Sequence, residues 1–170
     1  MAKLVEENHP ALHAIAEEVT EEDFANGTVA KIIKDLKSAI KTYNVDGYAA
    51  VAIAAPQIGI AKRVFLVADQ SDRDDKIPEL VAINPTIIKY SKKTHELGEG
   101  CLSVKNTYGV VVRHKNVTMR ALDESGSEYE RGAGGLLAQI FQHECDHLDG
   151  ILFKDRAEKT WEKEDKPLNE

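Results

Sequence analysis

The sequence predicts an α+β fold on three observations. An amphipathic helical stripe lies early in the chain, a series of β-branched runs follows it, and a second helical pattern comes late, carrying two histidines on one face. The first stripe is "TVAKIIKDLKSAIKTY", where Val29, Ile32, Ile33, Leu36 and Ile40 recur at helical spacing and Thr28 is the expected N-cap. "RVFLVAD", "LVAINPTIIKY" and "VVVRHKNVTMRALD" are rich in β-branched residues and bounded by Asp, Asn, Pro and Gly, so each reads as one strand. "QSDRDDKIPE" between the first two reads as a solvated loop, and "GSEYERGAGG" supplies turn residues. In "LLAQIFQHECDHL", Leu136, Ile140, His143 and His147 fall at i, i+4, i+7 and i+11, one helical face that passes from apolar to histidine. Such a face suits a pocket wall leading to a metal. The end, "AEKTWEKEDKPLNE", is polar and reads as a helix end fraying into a disordered tail.

The chain has 170 residues, enough for one domain with a substantial core, and no internal repeat or low-complexity tract divides it. The expected organisation is a single catalytic domain over residues 1–156 and a polar tail over 157–170. A formal charge of -7 and a pI near 5.4 argue against a nucleic-acid groove or an anionic membrane as the main partner and favour a small or neutral substrate. The start "MAKLVEENHPALHAIAEE" lacks the apolar core of a signal peptide and is acidic where a transit peptide would be Arg-rich, so a cytoplasmic location is expected. Two cysteines, Cys101 and Cys145, do not make a disulfide scaffold.

"QHECDH" is the most informative stretch. Residues four apart lie above one another on a helix, so His143 and His147 can bind one ion with Glu144 beside them. Taken alone, such a pair is more often a surface helix than a metal site. A catalytic zinc-type centre also needs a third protein ligand and an open position for water. In the extended metalloprotease pattern HExxHxxGxxH, Gly150 falls on the glycine but Phe153 stands where the last histidine belongs. Acidic residues of the tail are weak alternatives, because little fixes them in place. Cys101, in "GEGCLSV", is either a small buried hydrophobe or the missing ligand, and Cys plus two His leaves a fourth position open. Cys145 lies two residues from each histidine, points to another side of the helix, and reads as structural.

"AAPQIG", "EGCLS" and "QHECDHLDG" occur in the order and at the separations of the three signature segments of peptide deformylases, and the resemblance extends over about residues 4–156. It implies antiparallel sheets packed around a central helix that carries the His-Glu-x-x-His motif, with the early helix covering part of the sheet. It also implies removal of the formyl group from N-formylmethionyl peptides of nascent proteins emerging at the ribosome, by a monomer that binds neither nucleic acid specifically nor membrane. In that family one divalent metal is held by residues matching Cys101, His143 and His147. Fe2+ is the leading expectation and Zn2+, Ni2+ or Co2+ are alternatives, since these ligands accept several ions. The metal makes a hydroxide nucleophile available near neutral pH, and Glu144 matches the residue that carries the proton to the departing amine. The side-chain amide of Gln57 and the backbone N–H of Leu102 match the oxyanion donors. Glu99, Arg113 and Asp146 match residues near the metal that form a charged support. Leu136, Gln139 and Ile140, with Ala50, Ala52 and Gly100, are placed around the methionine pocket.

Two departures stand out. The family pattern GxGxAAPQ is "AVAIAAPQ" here, with Ala50 and Ala52 at glycine positions on the strand to which the family's peptide substrate pairs. Lys105 in "CLSVKN" replaces the usual proline. With the polar Gln139, these changes keep open a deformylase-like protein of altered N-acyl substrate or weak activity that binds peptides. A zinc endopeptidase is a distant alternative, disfavoured by Phe153 and by a cysteine as third ligand.

Overall fold

The structure is a computed structural model and describes residues 2–42, 44–45, 48–71, 74 and 76–162. Its helices are α1 (Glu21–Ala25), α2 (Thr28–Lys41), α3 (Gly135–Leu148) and α4 (Phe153–Arg156). Its strands are β1 (Asn44–Val45), β2 (Tyr48–Ala49), β3 (Ala52–Ala54), β4 (Val64–Val67), β5 (Leu80–Tyr90), β6 (Thr94–Cys101), β7 (Val104–His114), β8 (Asn116–Leu122), β9 (Glu128–Gly134) and β10 (Lys159–Glu162). All strand pairs are antiparallel, giving a five-stranded sheet β3-β4-β5-β8-β9, a three-stranded sheet β10-β7-β6 and a small hairpin β1-β2.

Strand β4 shows why the larger sheet sits where it does. All four residues of "VFLV" are buried, because alternate side chains enter two different cores. Val64 and Leu66 meet the α2 stripe of Val29, Ile32, Ile33, Leu36 and Ile40. Phe65 and Val67 meet Ala138, Phe141, Cys145 and Leu148 of α3. The sheet is thus covered on both faces, and each large apolar side chain so enclosed contributes roughly 1.5–3 kcal/mol. A smaller core of Leu12, Val104, Val111, Leu152 and Phe153 lies under the three-stranded sheet.

Several elements differ from the sequence reading. Gly27, at φ 84°, is the N-cap of α2 in place of Thr28, whose N–H is accepted by the Asn26 side chain. The run "VVVRHKNVTMRALD" is not one strand: it breaks at Lys115 and its halves, β7 and β8, belong to different sheets. Gln142 of α3 fixes this crossover, accepting from His114 N–H at 2.9 Å and donating to His114 C=O at 3.0 Å. The glycine-rich "GSEYERGAGG" is mostly strand, since β9 needs only its backbone to pair with β8 along the full length. Strand β6 is polar and alternates only in part, which hid it. In the expected loop 70–79, residues 72, 73 and 75 lie outside the described residues, and the others are neither helix nor strand. The expected helix end after residue 156 is instead β10, hydrogen-bonded to β7; residues 163–170 of the tail lie outside the described residues.

Candidate metal centre

Two backbone features bring the metal-ligand candidates together. Strand β6 ends at Cys101, where the register with β7 slips between Gly100 and Cys101. Helix α3 sets His143 and His147 one turn apart, their rings 4.8 Å apart and nearly perpendicular. The Cys101 sulfur lies 3.3 Å from His147 Nε2, and one donor atom from each of the three residues falls within 4.8 Å of the others. His147 is fully buried, while Cys101 and His143 are half-buried at the base of a cavity of about 450 Å³.

His143 is oriented by Glu99. Its Nδ1 lies 2.9 Å from Glu99 Oε2. A carboxylate only accepts, so Nδ1 carries the proton of the neutral ring, the form in which Nε2 offers its lone pair as a ligand. Glu99 is itself held by Arg113, through Nε to Oε1 at 2.7 Å and a second guanidinium nitrogen to Oε2 at 2.9 Å. Arg113 reaches on to Asp146 at 2.6 Å, and Asp146 takes two more bonds from Arg156, at 2.6 and 2.7 Å. Glu99, Arg113 and Asp146 are therefore one buried network of alternating charge. Arg156 was missed in the sequence, where a basic residue after a helix carries no signal of a buried partner.

The electrostatics follow from this packing. Burial pushes the Glu99 carboxyl up, but Arg113 and His143 outweigh it and hold the pKa at about 2. Burial also raises the Cys101 thiol, and the two imidazoles more than reverse this, holding it well below its ordinary value. For His143 burial acts downward, and contacts with Cys101 and Glu99 raise it well above the ordinary imidazole value. Glu144 is raised by burial, only partly countered by His143 and His147. Its Oε2 is buried with no hydrogen-bond partner among the described residues, as is His147 Nδ1. Cys145 faces the α3 core, and burial pushes its thiol up to about 12, too high to supply a thiolate near neutral pH.

Gln57 enters from a single turn at Ala55–Ile58 and is buried. Its Oε1 accepts from Ala54 N–H at 2.8 Å, which turns Nε2 toward Cys101 Sγ at 3.5 Å and leaves a donor facing the site. Leu102 follows Cys101 and lines the cavity, as do Ala50, Ala52, Gly100, Leu136, Gln139, Ile140 and Glu144. Leu136 is 38% exposed at the mouth, whereas Ile140 is buried. The Gln139 amide is tied back to Gly98 C=O at 3.1 Å and Glu99 Oε1 at 3.4 Å. Val104, Lys105, Asn106, Thr107 and Tyr108 complete one wall; of these the sequence reading had singled out only Lys105.

A thiol held toward its thiolate, two imidazoles and a desolvated carboxylate make a donor set that suits a divalent transition metal with an adjacent base. The family model described as polypeptide deformylase matches residues 1–163. The chain belongs to the polypeptide deformylase family. It is 36% identical to a peptide deformylase of Shouchella clausii, covering 99% of this chain and 96% of that one, and 40% identical to one of Carboxydothermus hydrogenoformans, covering 92% and 93%. The fold is similar to a class I type b peptide deformylase of Acinetobacter baumannii in a Met-Ala-Ser-bound crystal structure, with TM-score 0.82, 32% identity and coverage of 92% and 99%. Members of this family are hydrolases that depend on a divalent metal, and the antiparallel sheets around α3 are the arrangement the resemblance implied.

Proposed function

We propose that the chain hydrolyses the formyl amide of N-formylmethionyl peptides, with Cys101, His143 and His147 holding one divalent metal and Glu144 carrying the proton. The observation that carries the reading is the convergence of the three donor atoms within 4.8 Å, beside a buried carboxylate, one of whose oxygens has no hydrogen-bond partner among the described residues. A bound divalent ion supplies Lewis acidity that brings the pKa of a water toward neutrality. Glu144, raised by burial toward the working range of a base, takes the proton from the attacking water and returns it to the departing amine. As water adds to the formyl carbon, Gln57 Nε2 and the backbone N–H of Leu102 donate to the oxygen that gains charge. Collapse breaks the C–N bond and leaves formate and a free N-terminus. Glu99, backed by Arg113 and Asp146, holds His143 in the ligating tautomer. Leu136 and Ile140, with Ala50, Ala52, Gly100 and Gln139, form the methionine pocket.

Ferrous iron is the proposed native ion, with zinc, nickel and cobalt as the competitors that the same ligands accept. Action on nascent chains at the ribosome, in the cytoplasm and as a monomer, belongs to the same proposal. The family's activity supports the nascent-chain substrate, and, among the described residues, no helix is long and apolar enough to cross a membrane. The deciding experiment compares formate release from formyl-Met-Ala with cleavage of an unformylated peptide: formate alone supports the reading, and internal cleavage or neither product refutes it.

Metal content gives a separate check. Protein purified anaerobically should hold about one divalent transition metal per chain, and Cys101→Ser or His147→Ala should lose most of it. Cys145→Ser should change metal content little, because that side chain lies in the α3 core. Full occupancy in both ligand variants, read by elemental analysis, would sink the assignment.

The alanines that depart from the family give another. Ala50 and Ala52 are buried and border the cavity, and β3 is the edge strand of its sheet. If their methyls crowd an incoming peptide, Ala50→Gly with Ala52→Gly should raise kcat/KM on formyl-Met-Ala while metal content stays constant. Stability should fall by roughly 1 kcal/mol per site from the lost core methyl and the freer unfolded chain. A folded, metal-loaded double variant with unchanged kcat/KM would show the alanines to be tolerated variation.

A further inference from the structure

Three residues form one row across the smaller sheet. Gly100 on β6 stands opposite Tyr108 on β7, and Tyr108 stands opposite Trp161 on β10. Tyr108 lies over Gly100: a Cβ there would meet the ring at 3.1 Å, so the ring occupies the space a side chain would fill. The Tyr108 and Trp161 rings are stacked, 6.5 Å between centroids and 23° between planes. Strand β10 is drawn close by a second glycine. A Cβ at Gly109 would stand 3.0 Å from Lys159 C=O and 3.0 Å from Ala157 Cβ, so the approach of the C-terminal strand is built into β7.

Tyr108 lines the cavity, and Trp161 remains 44% exposed beyond it, a lone tryptophan in a polar segment. We propose that Tyr108 and Trp161 form an aromatic ledge that receives an apolar side chain at the third residue of the formyl-peptide, making the C-terminal strand part of the substrate site. This rests on the reading of the cavity as the formyl-methionine site. Strand spacing supplies the distance: from the Gly100 line to the Trp161 line is two spacings, roughly 10 Å, which an extended peptide covers in about three residues. Gly100 adjoins the ligand candidate Cys101, so the count starts at the reacting end. The ledge adjoins the cavity through Tyr108, which lines it and stacks on Trp161.

Trp161 is the only tryptophan in the chain, so its emission reports on the ledge directly. The unformylated peptide Met-Ala-Leu should shift or quench that emission saturably, Met-Ala should not, and Trp161→Phe serves as the blank. Trp161→Ala should lower kcat/KM on formyl-Met-Ala-Leu by about fivefold to tenfold, mainly through KM, the scale of one aromatic contact. It should leave formyl-Met-Ala within twofold, and Trp161→Phe should restore most of the loss. A tryptophan that merely anchors β10 would give equal losses on both peptides or no emission response to Met-Ala-Leu, and either result overturns the ledge. If the parent releases formate from neither peptide, the formyl-peptide reading fails by itself. The emission titration needs no turnover and still decides whether the ledge binds.

Discussion

Glu144→Ala is expected to keep its metal and lose formate release by roughly a hundredfold or more, the usual scale for a positioned acid–base group. The structure separates the two effects. Glu144 Oε2 has no hydrogen-bond partner among the described residues, so removing the carboxylate breaks no hydrogen bond at that atom. Its burial is a cost to the ionised form, and the upward shift of its pKa expresses that cost. Truncation should therefore leave the fold at least as stable as the parent, and Cys101, His143 and His147 in place. Glu144→Gln, which keeps the volume but not the proton exchange, should lose comparable activity. The measurements are elemental analysis, thermal unfolding and formate release on the same samples. Activity within a few-fold of the parent in a metal-loaded variant would remove Glu144 from the mechanism, whatever its position.

The parts of this site differ in how far the sequence exposes them. His143, Glu144 and His147 are legible because helical spacing turns a sequence interval into a geometry. Cys101 is only half legible: the sequence offers a thiol, but its approach to α3 depends on the slip at Gly100 and Cys101 and on the pairing of β6 with β7. The β6 strand itself was invisible, since "THELGEGC" has too few apolar residues to alternate, and it owes its place to the backbone of β7. Strand β9 was hidden for the same reason, by glycines that an edge strand tolerates. The break at Lys115 was hidden by continuity. "VVVRHKNVTM" keeps β-forming residues on both sides of a crossover that a single buried side chain, Gln142, fixes from another element. What sequence pattern carries is local periodicity; what it omits here are contacts between distant segments whose energy comes from backbone pairing or from one polar group.

Arg113→Ala should be the most destabilising single change in the charged support, by about 3–5 kcal/mol, because it leaves partners rather than merely removing a contact. Arg113 and Glu99 are almost wholly enclosed, with side-chain exposures of 4% and 2%, so solvent does not replace the lost bonds. Asp146 keeps Arg156, but among the described residues Glu99 keeps only His143 and the long contact from Gln139. The parent should also carry an acid signature that the variant lacks. Glu99 titrates at about 2 in the folded chain against an ordinary value of 4.5, so the folded state disfavours its protonation. Its contribution to stability is present in full above pH 4.5 and is lost as pH falls toward about 2, where folded and unfolded chains come to bind the proton alike. Without Arg113, burial acts on Glu99 with only His143 opposing it, and that slope should flatten. Metal affinity should fall as well, by about tenfold to a hundredfold, since His143 loses the rigid carboxylate that fixes its tautomer. Denaturant melts of parent and variant between pH 7 and about 3, with metal titration at pH 7, measure all three effects. A loss below about 1 kcal/mol at pH 7 would mean that water reaches Glu99 once the guanidinium is gone, and that the network orients His143 without supporting the fold.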